Sequence, residues 1–343
     1  AKLCKHRLKV SCAGAGSPLT KTAVLDKCGV TPTPAGIFQV STMKSIMLRE
    51  QRLHLEDSPM PSPGPGQVLV RSLACGICGS DLHLLKHSKD ILSFYREIGI
   101  VPPESPADDL EVSLGHEFCA ELVSFGPETQ RTMAPGTRVT AVPILSTEQG
   151  MVGVGTTPGI QGAYSEYFIL DEAMLLEVPD NLPSEAAALV EPLAVGLHAV
   201  NTGAPASGEV TLVAGCGPIG LACISALKLR GVTTIIASDP SPEARELARQ
   251  YGATHLANPI EEDEMHLAAE LAGENRVVIF ECVGLPRMIP DFVVRAPEHA
   301  CIVFTGLHTA PVSVHPAYAL VKQLNLKFSY YYTPEEYAQC LSS

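Results

Sequence analysis

Between Gly76 and His83 the chain reads Gly-Ile-Cys-Gly-Ser-Asp-Leu-His, placing a thiol, a hydroxyl, a carboxylate and an imidazole within eight residues. A thiolate at Cys78 is a soft metal ligand, and Asp81, three residues on, is spaced to orient a ligand imidazole. Ser80 and His83 can carry a proton away from whatever a metal polarises. Further ligands must come from elsewhere: His116-Glu117 offers an imidazole and a carboxylate, and Glu191 a second carboxylate. One Cys, one His and one Glu would bind a tetrahedral ion and leave its fourth position open, the arrangement of a catalytic zinc rather than a structural one.

A second group of residues points to a dinucleotide. Gly215-Cys-Gly217-Pro218-Ile219-Gly220 follows an apolar strand and opens a helix, and Asp239 stands nineteen positions beyond Gly220 at the end of the next strand. Glycines here let the backbone turn tightly and approach a pyrophosphate, whose charge sits at the helix N-terminus. Asp239 can accept from both ribose hydroxyls and would repel a 2′-phosphate, which favours NAD over NADP. Arg245, six residues later, is within reach of a phosphate, although its helical position equally suits a surface charge.

The elements that must hold these residues fall into two kinds. From Met43 the pattern is of short strands and turns: Gln67 to Ala74, Phe118 to Val123, Arg138 to Val142, Gly162 to Leu170 and Leu175 to Val178, punctuated by Pro59-Met-Pro-Ser-Pro-Gly-Pro-Gly66. Residues 87–109 suggest a surface loop with a short helix near the rim of the metal site. After Pro183, with Ser184 as expected N-cap, strands alternate with helices: Glu209 to Ala214, Pro218 to Leu229, Thr233 to Ala237, Pro242 to Tyr251, Val277 to Phe280 and Cys301 to Phe304. That alternation implies a parallel sheet.

Taken together, these stretches resemble the zinc-dependent medium-chain alcohol dehydrogenases, and Glu191-Pro-Leu-Ala-Val-Gly-Leu-His198 is similar to their polyol, butanediol and threonine dehydrogenase branch. The resemblance runs from about Met43 to the end, in order. It implies an α/β protein: a β-rich GroES-like catalytic domain over 43–185, a Rossmann, doubly wound parallel-sheet NAD domain over 186–330, and over 331–343 the start of a return to the catalytic domain. Residues 1–42 carry six Lys/Arg against one acid and receive no assignment. By the same resemblance Cys78, and not Cys75, is a zinc ligand with His116, and the third ligand is Glu117 or Glu191, one of them through water. Ser80, His83 and Glu117 are the residues it implies at the chemistry, with Asp81 fixing the ligand imidazole. Many members bind a structural zinc through four clustered cysteines, but residues 142–162 contain none, so one zinc per chain is expected. The implied reaction is hydride transfer between a secondary alcohol or polyol and NAD. An amino-alcohol such as threonine is the rival substrate. A non-catalytic NAD-binding protein is the rival class, because related chains run on by some tens of residues beyond the position of Ser343. A zinc-free quinone reductase would lack the Cys and His ligands.

Composition narrows the partners. The net charge of −13 disfavours nucleic acid and anionic membrane. Eleven cysteines without paired spacing fit a reducing, cytoplasmic setting. No apolar run approaches the roughly 18 residues of a spanning helix. A small-molecule alcohol is the expected partner, and family habit makes a homo-oligomer, a dimer or tetramer, the default.

Overall fold

The computed structural model describes residues 30–32, 38–40, 42–97, 111–148, 150–308 and 310–343. Most of the unassigned 1–42 segment and residues 98–110 of the insertion lie outside them.

Strands β1 (Val30–Pro32) and β2 (Phe38–Val40) form a two-stranded pair. The β-rich part is built on a five-stranded antiparallel sheet in the order β11 (Tyr167–Asp171), β5 (Gln67–Cys75), β7 (Phe118–Phe125), β8 (Arg138–Ala141), β12 (Leu175–Glu177). A three-stranded sheet of β4 (Arg52–Pro59), β3 (Thr42–Arg49) and β6 (Val112–Ser113) packs beside it. Alternate residues Val68 and Val70, Phe118, Ala120 and Leu122, and Phe168 and Leu170 meet in one core, as a half-buried antiparallel sheet requires. Residues 142–162 hold a hairpin of β9 (Ile144–Thr147) and β10 (Gly150–Gly153).

Helix α1 (Gly79–Glu97) begins directly after Cys78, and the short helix expected within residues 87–109 is its continuation over 87–97, with one kink at His87. The helix survives its polar composition because Leu84 and Ile91, seven residues apart on one face, are buried with Leu48, Val112 and Leu114.

Short α2 (Ser184–Ala187) and longer α3 (Val190–Gly203) lead to the second part. Pro183, not Ser184, occupies the N-cap of α2. Proline suits a helix entrance because its fixed φ already favours the extended conformation found there, and Ser184 Oγ faces the Arg138 guanidinium at 3.5 Å.

The second part is a six-stranded, all-parallel sheet in the order β15 (His255–Ala257), β14 (Thr234–Ser238), β13 (Val210–Ala214), β16 (Val277–Glu281), β17 (Cys301–Phe304), β18 (Asn325–Phe328). Its central strands β13, β14, β16 and β17 are mostly apolar because both faces are covered, whereas the outer strand β18 is largely exposed. Val213, Ile235, Phe280 and Val303 face α4 (Pro218–Leu229), while Leu212, Ile236, Ile279 and Ile302 face the opposite layer, which includes Met265 and Phe292. Gly196 of α3 lets that helix lie directly on α4, since a Cβ there would collide with Ala222.

Candidate functional site

Cys78 leaves the end of β5, and His116 and Glu117 enter β7, the strand beside it; a backbone bond from Gly76 N–H to the Glu117 carbonyl (2.7 Å) joins the two stretches. The glycines around them are demanded by space. A Cβ on Gly76 would strike the Glu117 carboxylate, and Gly115, at φ +102°, passes against Tyr164 where a side chain would be both strained and blocked. The ligand atoms of Cys78, His116 and Glu117 consequently lie within 4.8 Å of one another.

Asp81 orders this group. Its Oδ2 accepts from Cys78 N–H (3.0 Å), reaching back over the first turn of α1, and Oδ1 stands 3.5 Å from His116 Nδ1. The Tyr164 hydroxyl lies between Asp81 Oδ2 (3.0 Å) and the Gly76 carbonyl (3.1 Å). Ser80 Oγ is 3.4 Å from His116 Nε2, so both ring nitrogens are addressed from α1. His83 sits one turn further along that helix with its ring 5.9 Å from that of His87. Cys75 packs into the β-rich core, and burial raises its thiol well above the usual range.

Glu191 approaches from the first turn of α3. It is 6 % exposed, stands outside the 4.8 Å group, and accepts at Oε1 from the Tyr332 hydroxyl (2.9 Å). Burial alone would lower the His116 imidazole, but Cys78, Asp81 and Glu191 around it prevail and push it up to about 10. Burial pushes Glu117 up to about 7, with the neighbouring Glu191 charge adding to the effect. A half-buried thiol and the Asp81 and Glu191 carboxyls that draw a proton onto an imidazole, with Glu117 beside them, make a field that calls for a cation. His116 Nδ1 and Asp81 Oδ1 are buried without a hydrogen-bond partner at their 3.5 Å separation. A ring faced at Nδ1 by a carboxylate, beside a thiol and a second carboxylate, is a donor set that fits zinc.

The dinucleotide residues lie along the C-terminal edge of the parallel strands, where α/β sheets bind ligands. Gly215, at φ +92°, packs on Cys282 and Val283, and Gly220 abuts the Gly215 carbonyl so closely that no side chain fits. Pro218 and Ile219 form the first turn of α4, directly after Gly217. Asp239 is not the cap of the following helix: Ser241 takes that role for α5 (Pro242–Tyr251). Asp239 instead accepts from Cys216 N–H (2.9 Å) and Ser241 N–H (2.8 Å), which fixes its carboxylate beside the glycine turn. Arg245 turns inward, half-buried, and donates to the Asp239 carbonyl instead of standing in solvent.

Three residues of this site carry no sequence signal of their own. Tyr164 and Tyr332 act on Asp81 and Glu191 across 83 and 141 residues. The fully buried Glu281 ends β16, accepts from Val283 and Gly284 N–H, and pairs with His308 Nε2 at 2.7 Å, tying together the two loops beyond Gly215.

A β-rich part presenting thiol, imidazole and carboxylate donors, joined to a parallel sheet with a glycine turn, defines a metal-assisted, dinucleotide-dependent oxidoreductase. Residues 64–180 match the alcohol dehydrogenase GroES-like domain, and residues 218–343 match the zinc-binding dehydrogenase model. The chain is 32 % identical over 297 residues to (R,R)-butanediol dehydrogenase of Bacillus subtilis, covering 83 % of each chain. Against the solved structure of 2R,3R-butanediol dehydrogenase from that organism the TM-score is 0.73, with 31 % identity over 88 % of this chain and 87 % of the other. L-threonine 3-dehydrogenase of Pyrococcus horikoshii is 30 % identical, covering 76 % of this chain and 74 % of its own. Sorbitol dehydrogenase of Bos taurus is 29 % identical, covering 80 % and 78 %. The chain belongs to the zinc-dependent medium-chain alcohol dehydrogenase family.

Proposed function

We propose that this chain oxidises a secondary alcohol or polyol to the ketone or aldehyde, and reverses that reaction, with one zinc ion and NAD. The observation that carries the reading is the convergence of Cys78, His116 and Glu117 within 4.8 Å in a chain that also carries a glycine-rich dinucleotide turn opening a helix at Pro218. Cys78, His116 and Glu117 would hold the zinc, with Glu191 behind them. Bound zinc supplies Lewis acidity that makes a hydroxyl far more acidic, and the nicotinamide takes up the hydride. The chain does the rest. Asp81 holds the His116 ring through Nδ1, keeping Nε2 on the ligand side. Ser80, 3.4 Å from that nitrogen, accepts the substrate proton and passes it outward, with His83 as the next acceptor along α1.

Asp239 supports NAD as the preferred cofactor. Both its oxygens already accept backbone bonds, so its carboxylate is fixed where it meets ribose hydroxyls and repels a phosphate. The absence of cysteines from residues 142–162 supports one zinc. We read the domain boundaries as 43–185 and 186–330, with 331–343 returning to the first. The exposed Phe328, which ends the outer strand β18, and Tyr330 just after it (both 71 %) support a homo-oligomer, and unpaired cysteines among the described residues support a cytoplasmic setting.

The similarity to both butanediol and threonine dehydrogenases leaves two substrate classes in view, and the diol or polyol is preferred because two of the three relatives described carry that activity. Screening diols, polyols, simple secondary alcohols and threonine for formation of reduced nicotinamide, alongside zinc analysis, decides between them. Turnover confined to threonine overturns the polyol reading, and a zinc-free active enzyme overturns the metal assignment.

A further inference from the structure

Beyond β18 the chain leaves the parallel sheet and crosses to the β-rich part. Tyr332 and Tyr337 are 6 % and 1 % exposed and share a core with Val142, Val190 and Ala194. The Thr140 hydroxyl donates to the Phe118 carbonyl (2.8 Å), so its 2.5 Å contact with Tyr337 Oη has Tyr337 as donor. Phe118 directly follows the two candidate ligands His116 and Glu117. Tyr332 is clamped between Tyr331, stacked at 4.9 Å and 12°, and Tyr337 at 5.5 Å. A ring held on both sides aims its hydroxyl, and the hydroxyl meets Glu191 Oε1 at 2.9 Å.

We infer that Tyr332 is a positioning residue of the metal site: it pins one oxygen of Glu191, so that this carboxylate backs the cation while Glu117 completes the Cys78–His116 donor set. The inference rests on the zinc reading above and says which of the two glutamates is the inner one. Glu117 lies within 4.8 Å of both other donors, and Glu191, engaged by the phenol, does not join that group. Two buried carboxylates beside one cation compete for it. A donor fixed on one of them decides the competition by geometry, with no conformational change required.

Tyr332→Phe removes the hydroxyl and keeps the ring in its clamp, so the fold should persist. The variant should still bind one zinc per chain, but with affinity lowered about tenfold in chelator competition, the loss typical when a partner of a ligand is deleted. Its cobalt-substituted form should show an altered visible ligand-field spectrum, while NADH binding stays unchanged. Glu191→Gln should weaken zinc as well, and Tyr332→Phe added to it should cost nothing further, since the two residues act as one unit. A Tyr332→Phe protein with wild-type zinc affinity and an unaltered cobalt spectrum would make Tyr332 a packing residue and overturn the inference. A wild-type protein that binds no zinc would overturn the metal reading instead.

Discussion

Burial and the Glu191 charge raise Glu117, and the surrounding Cys78, Asp81 and Glu191 raise His116, so without a metal both hold protons and give the site a signature in stability. Glu117 rises from 4.5 to about 7 and His116 from 6.5 to about 10 on folding without metal. In both windows the folded chain binds more protons than the unfolded one, so stability falls as pH rises, first through 4.5 to 7 and then through 6.5 to 10. Zinc replaces those protons, so its stabilising effect should grow with pH. Thermal melting of chelator-treated protein across this range, with and without added zinc, tests the expectation. A metal-stripped chain that gains stability toward high pH contradicts it. Cys78→Ser or His116→Ala should lose zinc and nearly all turnover yet still bind NADH, since the dinucleotide edge shares none of these side chains. At Asp239 the expected effect is on selectivity. Replacing it by Ser removes charge-assisted bonds worth about 1.5–3 kcal/mol each, so preference for NAD over NADP should fall by an order of magnitude or more, read from kcat/KM with each cofactor.

The glycine turn shows how far an element can be read from its residues. Pro218 to Leu229 and Pro242 to Tyr251 fold as helices over the spans their sequence indicates, because proline opens each and an apolar face buries each. Strands β13, β16 and β17 declare themselves by near-continuous apolar runs, interrupted only by Thr211 and ended by Glu281, that a doubly covered parallel sheet buries. Gly220→Ala is the smallest change that should break the turn. Its methyl would meet the Gly215 carbonyl, so the helix must shift away, at a cost of about 1–3 kcal/mol, with weakened dinucleotide binding. Titration of NADH fluorescence and a denaturant curve would detect both effects. Helix α1 is the counterexample. Its apolar stripe is too sparse to outweigh Lys86, His87 and Lys89 in a local reading, and only the distant Leu48 and Val112 make it worth forming. The same limit hides Tyr164, Tyr332 and the Glu281–His308 pair. The donor set of the site is local, eight residues plus two short motifs, and so can be read directly. The groups that aim those donors are chosen by packing between segments far apart in the chain, and nothing in their own neighbourhood marks them.

Across the whole molecule, the segment after β18 couples the two parts through one helix. Thr333 and Glu336 close a capping box at the start of α6 (Pro334–Ser342), and Glu336 also pairs with His198 Nδ1 (2.8 Å) and accepts from Asn201 on α3. Tyr337 enters the β-rich core from that helix and reaches Thr140 on β8, beside β7, the strand that His116 and Glu117 lead into. The helix that bears Glu191, the start of β7 next to His116 and Glu117, and the tyrosine that bonds Glu191 thus meet around the single side chain of Tyr337. Tyr337→Ala should therefore do more than open a cavity. Loss of a fully buried aromatic ring costs about 3–5 kcal/mol of stability wherever it occurs. Here it should also release Tyr332 from its clamp, so zinc should dissociate faster than from a core variant of equal stability in the parallel sheet, such as Phe292→Ala, which lies away from the metal site. Zinc release into a colorimetric chelator, measured on the two variants under conditions where both remain folded, separates these effects. Equal release rates would mean that the C-terminal helix stabilises the fold without tuning the metal.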